Sequence, residues 1–140
     1  TKRPEDAPGM EDSLLAVLQR HRLAGRGARE GRVLVQSFSP ASLRRLHALE
    51  PRLQLVQLWD DDIAPDALEA LLDSVRGYAV GFGPARRLVS RRLVDAAHAR
   101  GLDVHPYTVN AEPVMSFLLD LGVDGMFTDR PAVLRALLKR

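Results

Sequence analysis

Residues equipped for catalysis are sparse in this chain, and those that cluster are aromatic or neutral. Tyr107, Thr108 and Asn110 fall close together, and Thr128-Asp129, Ser37-Phe38 and Gln57-x-Trp59 form smaller groups. Phenol, hydroxyl and amide groups beside flat aromatic faces suit the binding of a polar ligand. The histidines are His21, His47, His98 and His105. A histidine acting as general acid or base needs its partner within hydrogen-bond reach. His21 and His47 sit near arginines and read as surface residues of helices. His98 falls near a helix end, where a cation complements the dipole. His105 precedes Tyr107 by two residues and so shares its side of a strand. It is the histidine whose position hints at a site, although no partner is evident. Asp60, Asp61 and Asp62 invite a metal reading, but adjacent carboxylates rarely converge on one ion without other ligands. They read as an acidic loop leading into a helix, whose N-terminal dipole favours them. No Gly-x-Ser-x-Gly turn occurs, which argues against a serine hydrolase. The absence of cysteine excludes disulfides and zinc–thiolate sites.

These groups must be placed by the elements around them. Residues 11–24 put Leu14, Leu15, Leu18 and Leu23 near one helical face, and Gly25, Gly27 and Gly31 break the chain after them. VLVQSF (33–38) is a short apolar run rich in β-branched residues, and reads as a buried strand. Ser39 before Pro40 marks a helix start: a hydroxyl cap, then a proline whose missing N–H costs nothing. That helix runs to Glu50, and Pro51 stops it. The unit then repeats. A strand at 53–59 leads to a helix from Pro65 to Val75, and a strand at 78–83 to a helix capped by Ser90 and closed by Gly101. A strand at 102–109 leads to a helix opened by Asn110 and closed by Gly122. A fifth strand at 123–129 leads to the last helix, opened by Asp129 and Pro131. Asn110 and Asp129 are thus candidate N-caps as well as candidate ligand-facing groups.

Five strands alternating with helices, without a hairpin signal, imply parallel strands joined by crossovers. The strands are apolar along their length, as in a sheet covered on both faces. The fold class is α/β, either an open doubly wound sheet or part of a (β/α)8 barrel. A complete barrel takes about 250 residues and eight βα units. In both architectures ligands bind at the carboxyl ends of the strands, which is where the aromatic and neutral groups fall. Trp59 there either packs at its strand end or touches a ligand, and Tyr107 is either core or pocket wall. No Gly-x-Gly-x-x-Gly follows a strand, so the usual dinucleotide fingerprint is missing. Hydrophobic residues make up 46% of the chain, enough for a core, and no apolar run approaches ~18 residues, so no membrane span is expected. The net charge is +2, with arginines dispersed among acids. This reads as a solvated surface, without the concentrated positive footprint of a nucleic-acid binder. The compartment is undecided.

Two stretches taken together, GLDVHPYTVN (101–110) and GVDGMFTDRP (122–131), resemble the C-terminal end of the glycerophosphodiester phosphodiesterase family. That family shows a strand closing on Trp-Thr-Val-Asn, then Gly-Val-Asp-Gly and Thr-Asp-Xaa-Pro. VLVQSFSPASLRRL (33–46) is similar to its Ser-Phe strand and following helix. The order and spacing match over nearly the whole chain. The resemblance implies that residues 1–140 form the C-terminal portion, about five βα units, of a TIM-type (β/α)8 barrel whose N-terminal portion is absent. It implies hydrolysis of glycerophosphodiesters to glycerol 3-phosphate and an alcohol, with a bound divalent cation, Mg or Ca. In the family two histidines serve as acid and base, in His-Arg-Gly and His-Asp motifs, and carboxylates of Glu-x-Asp and Glu-x-Lys hold the metal.

Of that machinery this chain offers one position. Lys2, followed by Pro4 and later by Gly9-Met10-Glu11, is similar to the Glu-x-Lys lysine that contacts the phosphate, its glutamate falling before Thr1. The resemblance also implies that Tyr107, standing where the family has tryptophan, lines the barrel mouth with Trp59, Phe38 and Asn110. The expected partners are a small-molecule glycerophosphodiester and either the missing barrel half or a second copy. On this reading the 140 residues alone are inactive. The alternative is a non-catalytic α/β module that works by association through its open sheet edges.

Overall fold

The computed structural model describes residues 7–25 and 33–139. Four strands, β1 (Leu34–Ser37), β2 (Gln54–Trp59), β3 (Gly81–Pro84) and β4 (Asp103–Val104), lie side by side in chain order and all run parallel. Helix α1 (Met10–Arg20) precedes them, and α2 (Pro40–Leu49), α3 (Leu68–Val75) and α4 (Arg91–His98) connect them. Helices α5 (Glu112–Asp120) and α6 (Pro131–Leu137) follow. The register aligns Val35 with Leu55, Gln57 with Phe82, and Phe82 with Val104.

Strand alternation divides the sheet into two faces. Val35, Leu55, Phe82 and Val104 share one apolar core with Leu43 and Leu46 of α2, Leu72 of α3 and Val94 of α4. Leu43, Leu46 and Leu72 are fully buried, and each such side chain contributes about 2 kcal/mol through removal from water. The other face carries Val56 and Leu58 of β2, both buried, leaning over Gly81 and Gly83 of β3. The strands are therefore apolar on both faces, as the sequence suggests.

Local chemistry sets most of the boundaries. Ser39 Oγ accepts the Ser42 N–H at 3.3 Å and Ser90 Oγ accepts the Leu93 N–H at 3.2 Å, so both predicted caps form. Gly101 and Gly122 close their helices with left-handed backbones, φ 70° and 87°. Helix α1 stops at Arg20, short of residue 24, because Arg22 turns left-handed (φ 57°) and the Leu23 N–H returns to the Leu18 carbonyl at 2.8 Å. Glu11 and Asp12 of α1 anchor it to α2: Ser42 Oγ donates to Glu11 at 2.6 Å and Arg45 to Asp12 at 2.6 Å.

Three expectations are corrected. The third helix begins at Leu68, too late for Asp60–Asp62 to stabilise its first turn. Helices α5 and α6 have a proline in the first turn but no side-chain cap, so neither Asn110 nor Asp129 caps. The fifth strand, expected at 123–129, is an irregular segment laid along β4. The Asp124 N–H donates to the Val104 carbonyl (3.1 Å), Phe127 to Pro106 (3.0 Å), and Val109 to Phe127 (2.9 Å). A regular ladder fails there for a chemical reason. Pro106 has no N–H to offer that side, and the Val104 N–H is taken by the Asp124 side chain at 2.8 Å. On the β3 side the pairing continues, with Tyr107 donating to Pro84 at 3.2 Å and bridging Ala85.

Asp124 also accepts from His98 Nε2 at 2.9 Å, tying the end of α4 to this segment. Burial pushes the Asp124 carboxyl up, but the Val104 N–H and His98 outweigh it and hold it below the usual range. A carboxyl depressed in the folded state stabilises above its unfolded value, about 3.9, and loses that contribution as pH falls through the folded value. Asp124→Ala should therefore cost about 1–2 kcal/mol at neutral pH through the orphaned Val104 N–H. It should also flatten the acid limb of a melting-temperature profile, which thermal scans across pH 2–7 would read (range on the order of the carboxyl titration).

Candidate functional site

The carboxyl ends of the strands come together around two aromatic rings. Phe38 follows β1 and Tyr107 extends β4, three strands away. Strands in a flat sheet lie about 4.8 Å apart, yet the two rings meet edge to face, centroids 5.6 Å apart at 88°. The sheet is thus curled, with both side chains reaching over its concave face. The Tyr107 hydroxyl donates to the Trp59 carbonyl at 3.1 Å, fixing the ring against β2. Burial, reinforced by the nearby Asp60 charge, pushes this phenol up to about 12. It stays protonated and serves as a neutral hydrogen-bonding wall.

Trp59 takes a different side. Its ring lies 6.4 Å from Phe82, on the helix-facing core, and its indole N–H donates to the Asp61 carbonyl at 2.9 Å. Only its backbone carbonyl meets Tyr107. Asn110 is brought to the same end but faces the segment before α6. Its Oδ1 accepts from Thr128 Oγ1 (3.2 Å) and the Asp129 N–H (2.9 Å), and its Nδ2 donates to Asp129 Oδ2 (2.7 Å). This latch explains the spacing of Val-Asn and Thr-Asp in the sequence: one amide crosses the gap to the residues that open α6. Lys2 lies outside the described residues.

His105 shares the concave face with Tyr107 and packs beside Phe127, ring centroids 6.2 Å apart. No acid or base bonds it among the described residues. Of the acidic loop, Asp60 is held by Arg87, whose Nη1 reaches Oδ1 at 2.5 Å and whose Nη2 reaches the Asp60 carbonyl; Asp62 stands 4.0 Å from the same guanidinium. Among the described residues no three histidine or acidic side chains converge on a point that would hold a cation.

Two roles escape a reading of residue types, although Gln57 itself stands among the strand-end groups. Gln57, fully buried on β2, spreads its amide N–H groups over the carbonyls of Ser37, Phe38 and Leu58 at 3.3, 3.1 and 2.9 Å. Its Oε1 accepts from Tyr78 Oη at 2.8 Å. It brackets the end of β1 and so positions Phe38. Arg86 and Arg87, one intervening residue beyond the β3 end, line a concavity of about 390 Å³ with Asp60, Tyr107 and Thr108. A pair of adjacent arginines just beyond a glycine-rich strand was the available signal.

A parallel, curled α/β sheet with its aromatic and hydrogen-bonding groups at the strand carboxyl ends fits part of a (β/α)8 barrel. The crystal structure of a glycerophosphodiester phosphodiesterase from Parabacteroides distasonis, 20% identical, superposes with a TM-score of 0.75 over 97% of this chain and 52% of that one. An Oleispira antarctica phosphodiesterase solved with the product sn-glycerol-3-phosphate, 22% identical, has a TM-score of 0.64 over 76% of this chain and 42% of that one. The glycerophosphodiester phosphodiesterase of Bacillus subtilis strain 168 is 44% identical over 131 residues, 94% of this chain and 45% of that protein. Residues 1–133 match the model of the glycerophosphoryl diester phosphodiesterase family. The chain belongs to that family. It spans about half the length of the curated relatives it matches.

Proposed function

We propose that this chain supplies the C-terminal part of a barrel that hydrolyses glycerophosphodiesters to sn-glycerol 3-phosphate and an alcohol. The observation that carries the reading is the family match over residues 1–133, and the Phe38–Tyr107 pair at the strand ends supports it. On this reading Phe38 and Tyr107 wall the substrate, Tyr107 offering a neutral hydroxyl where the family has an indole. Lys2 contacts the phosphate, where a fixed cation offsets charge developing on the oxygens. The divalent cation takes its ligands, and the reaction its acid and base, from residues beyond those described. Asn110 acts through the loop that carries Tyr107, and Trp59 through its carbonyl.

The test is an assay of the full-length polypeptide with glycerophosphocholine, following glycerol 3-phosphate release with Mg2+ or Ca2+ and after chelation. Metal-dependent release is expected, and none from residues 1–140 alone. No release by the full-length protein under any metal would overturn the hydrolase reading, and turnover by residues 1–140 would overturn their dependence on a further portion.

A further inference from the structure

We propose that Arg86 and Arg130 are positioning residues that hold the loop carrying Tyr107 in the conformation that walls the substrate; this rests on the hydrolase reading above. Pairing with the β3 side holds the chain beyond β4 as far as Tyr107, which bridges Ala85. After it Thr108 and Asn110 are exposed, and no regular element begins until Glu112. The two arginines supply donors to this stretch. The Arg86 N–H donates to the Tyr107 carbonyl at 2.9 Å, and its Nη1 donates to the next carbonyl, that of Thr108, at 3.2 Å. Arg130 Nη1 donates to the Asn110 carbonyl at 3.3 Å. Arg130 is itself fixed: its N–H donates to Thr128 Oγ1 at 3.0 Å, and that hydroxyl donates to Asn110 Oδ1 at 3.2 Å. The loop is thus gripped both from the residues after β3 and from those that open α6.

Position decides what these grips do. Arg130 does not line the concavity that Tyr107 and Thr108 wall, so its effect on a ligand there must pass through the loop. The Tyr107 hydroxyl reaches the Trp59 carbonyl at 3.1 Å, and its ring meets Phe38 edge to face. Both contacts need the backbone that carries the ring to be held in place. A solvent-exposed hydrogen bond adds little to global stability, because water replaces either partner. Losing a grip therefore leaves the fold intact and frees the loop. The cost of ordering that loop then falls on substrate binding. Arg91 is the contrast. It grips backbone in the same way, Nη1 on the Leu121 carbonyl at 2.9 Å and Nη2 on that of Asp120 at 2.8 Å, but at the C-terminal end of α5.

The experiment measures KM and kcat of the full-length protein for glycerophosphocholine, in the wild type, Arg86→Met, Arg130→Met and Arg91→Met. KM should rise about threefold to tenfold in Arg86→Met and Arg130→Met, as the cost of ordering one loop. In Arg130→Met kcat should change by less than about twofold, and the melting temperature by less than about 3 °C. Arg91→Met should leave KM unchanged. In a Tyr107→Ala background, Arg130→Met should raise KM no further, since effects passed through one residue do not add. An unchanged KM in Arg130→Met, an equal rise in Arg91→Met, or additive rises in the double variant overturns the assignment. The loop is also read directly, by fluorine NMR of fluorotyrosine-labelled protein, the Tyr107 signal being the one lost in Tyr107→Phe. It should shift or broaden in Arg130→Met and stay as it is in Arg91→Met. If the wild type releases no glycerol 3-phosphate, the hydrolase reading falls and this signal alone decides. Moved by Arg130→Met, it upholds the grip on the loop; unmoved, it overturns it.

Discussion

Replacing Gln57 with leucine is expected to lower stability by about 3–5 kcal/mol, a fall in melting temperature on the order of 10 °C. Leucine fits the volume but none of the bonding. The carbonyls of Ser37, Phe38 and Leu58 lose their shared donor, and the Tyr78 hydroxyl loses its acceptor. Water cannot replace them at Ser37 or Tyr78, because Gln57 and Ser37 are fully buried and Tyr78 nearly so. A buried polar group left without a partner costs about 1–3 kcal/mol, while deleting both partners costs far less. Tyr78→Phe alone should therefore cost about 1–2 kcal/mol, and the double variant less than the sum of the singles. Thermal or urea unfolding of the three variants checks this, and additive losses would contradict a shared network. In the full-length protein the Gln57→Leu change should also raise KM, since the end of β1 carries Phe38.

Gly83→Val should be the other severe change, at about 3 kcal/mol or more, through overpacking. The limit is set by position, for Gly83 has no special backbone angle. A Cβ there would lie 2.7 Å from Leu58 Cδ2, 3.2 Å from the His105 carbonyl oxygen and 3.3 Å from Val56 Cγ1. Leu58 could rotate, but the His105 oxygen belongs to the backbone beyond β4 and can move only if the β3–β4 pairing opens. Alanine tests the contact and valine the strand spacing, so unfolding free energies should fall in the order glycine, alanine, valine. A valine variant as stable as the parent would show that the concave face is loosely packed.

How much of this could be read beforehand varied with the kind of signal. Alternating apolar runs and helices marked out the parallel sheet, and Ser39-Pro40, Ser90, Gly101 and Gly122 marked helix ends, because each depends on neighbours a few residues away. The fifth strand did not form as expected because its ladder depends on Pro106 and Asp124, one removing a donor and the other diverting one. Asn110 and Asp129 have good capping chemistry, yet they bond each other across 19 residues of sequence. Trp59 and Tyr107 both end strands, but which face each takes follows from register, and the register is set by pairing with β3. The arginines beside the mouth carried no periodicity at all.

The strand order has a kinetic consequence. Each strand pairs with the next one along the chain, Leu34 with Gln54, Val56 with Gly81 and Gly81 with Asp103, so no pairing in the sheet spans more than 25 residues. Closing loops of that length costs little entropy compared with the crossings of a sheet whose first and last strands must meet early. Contacts that are local in sequence also speed folding. The sheet can therefore be laid down in order, β1 to β4, as the polypeptide emerges from the ribosome, with each new helix covering the strand pair just made.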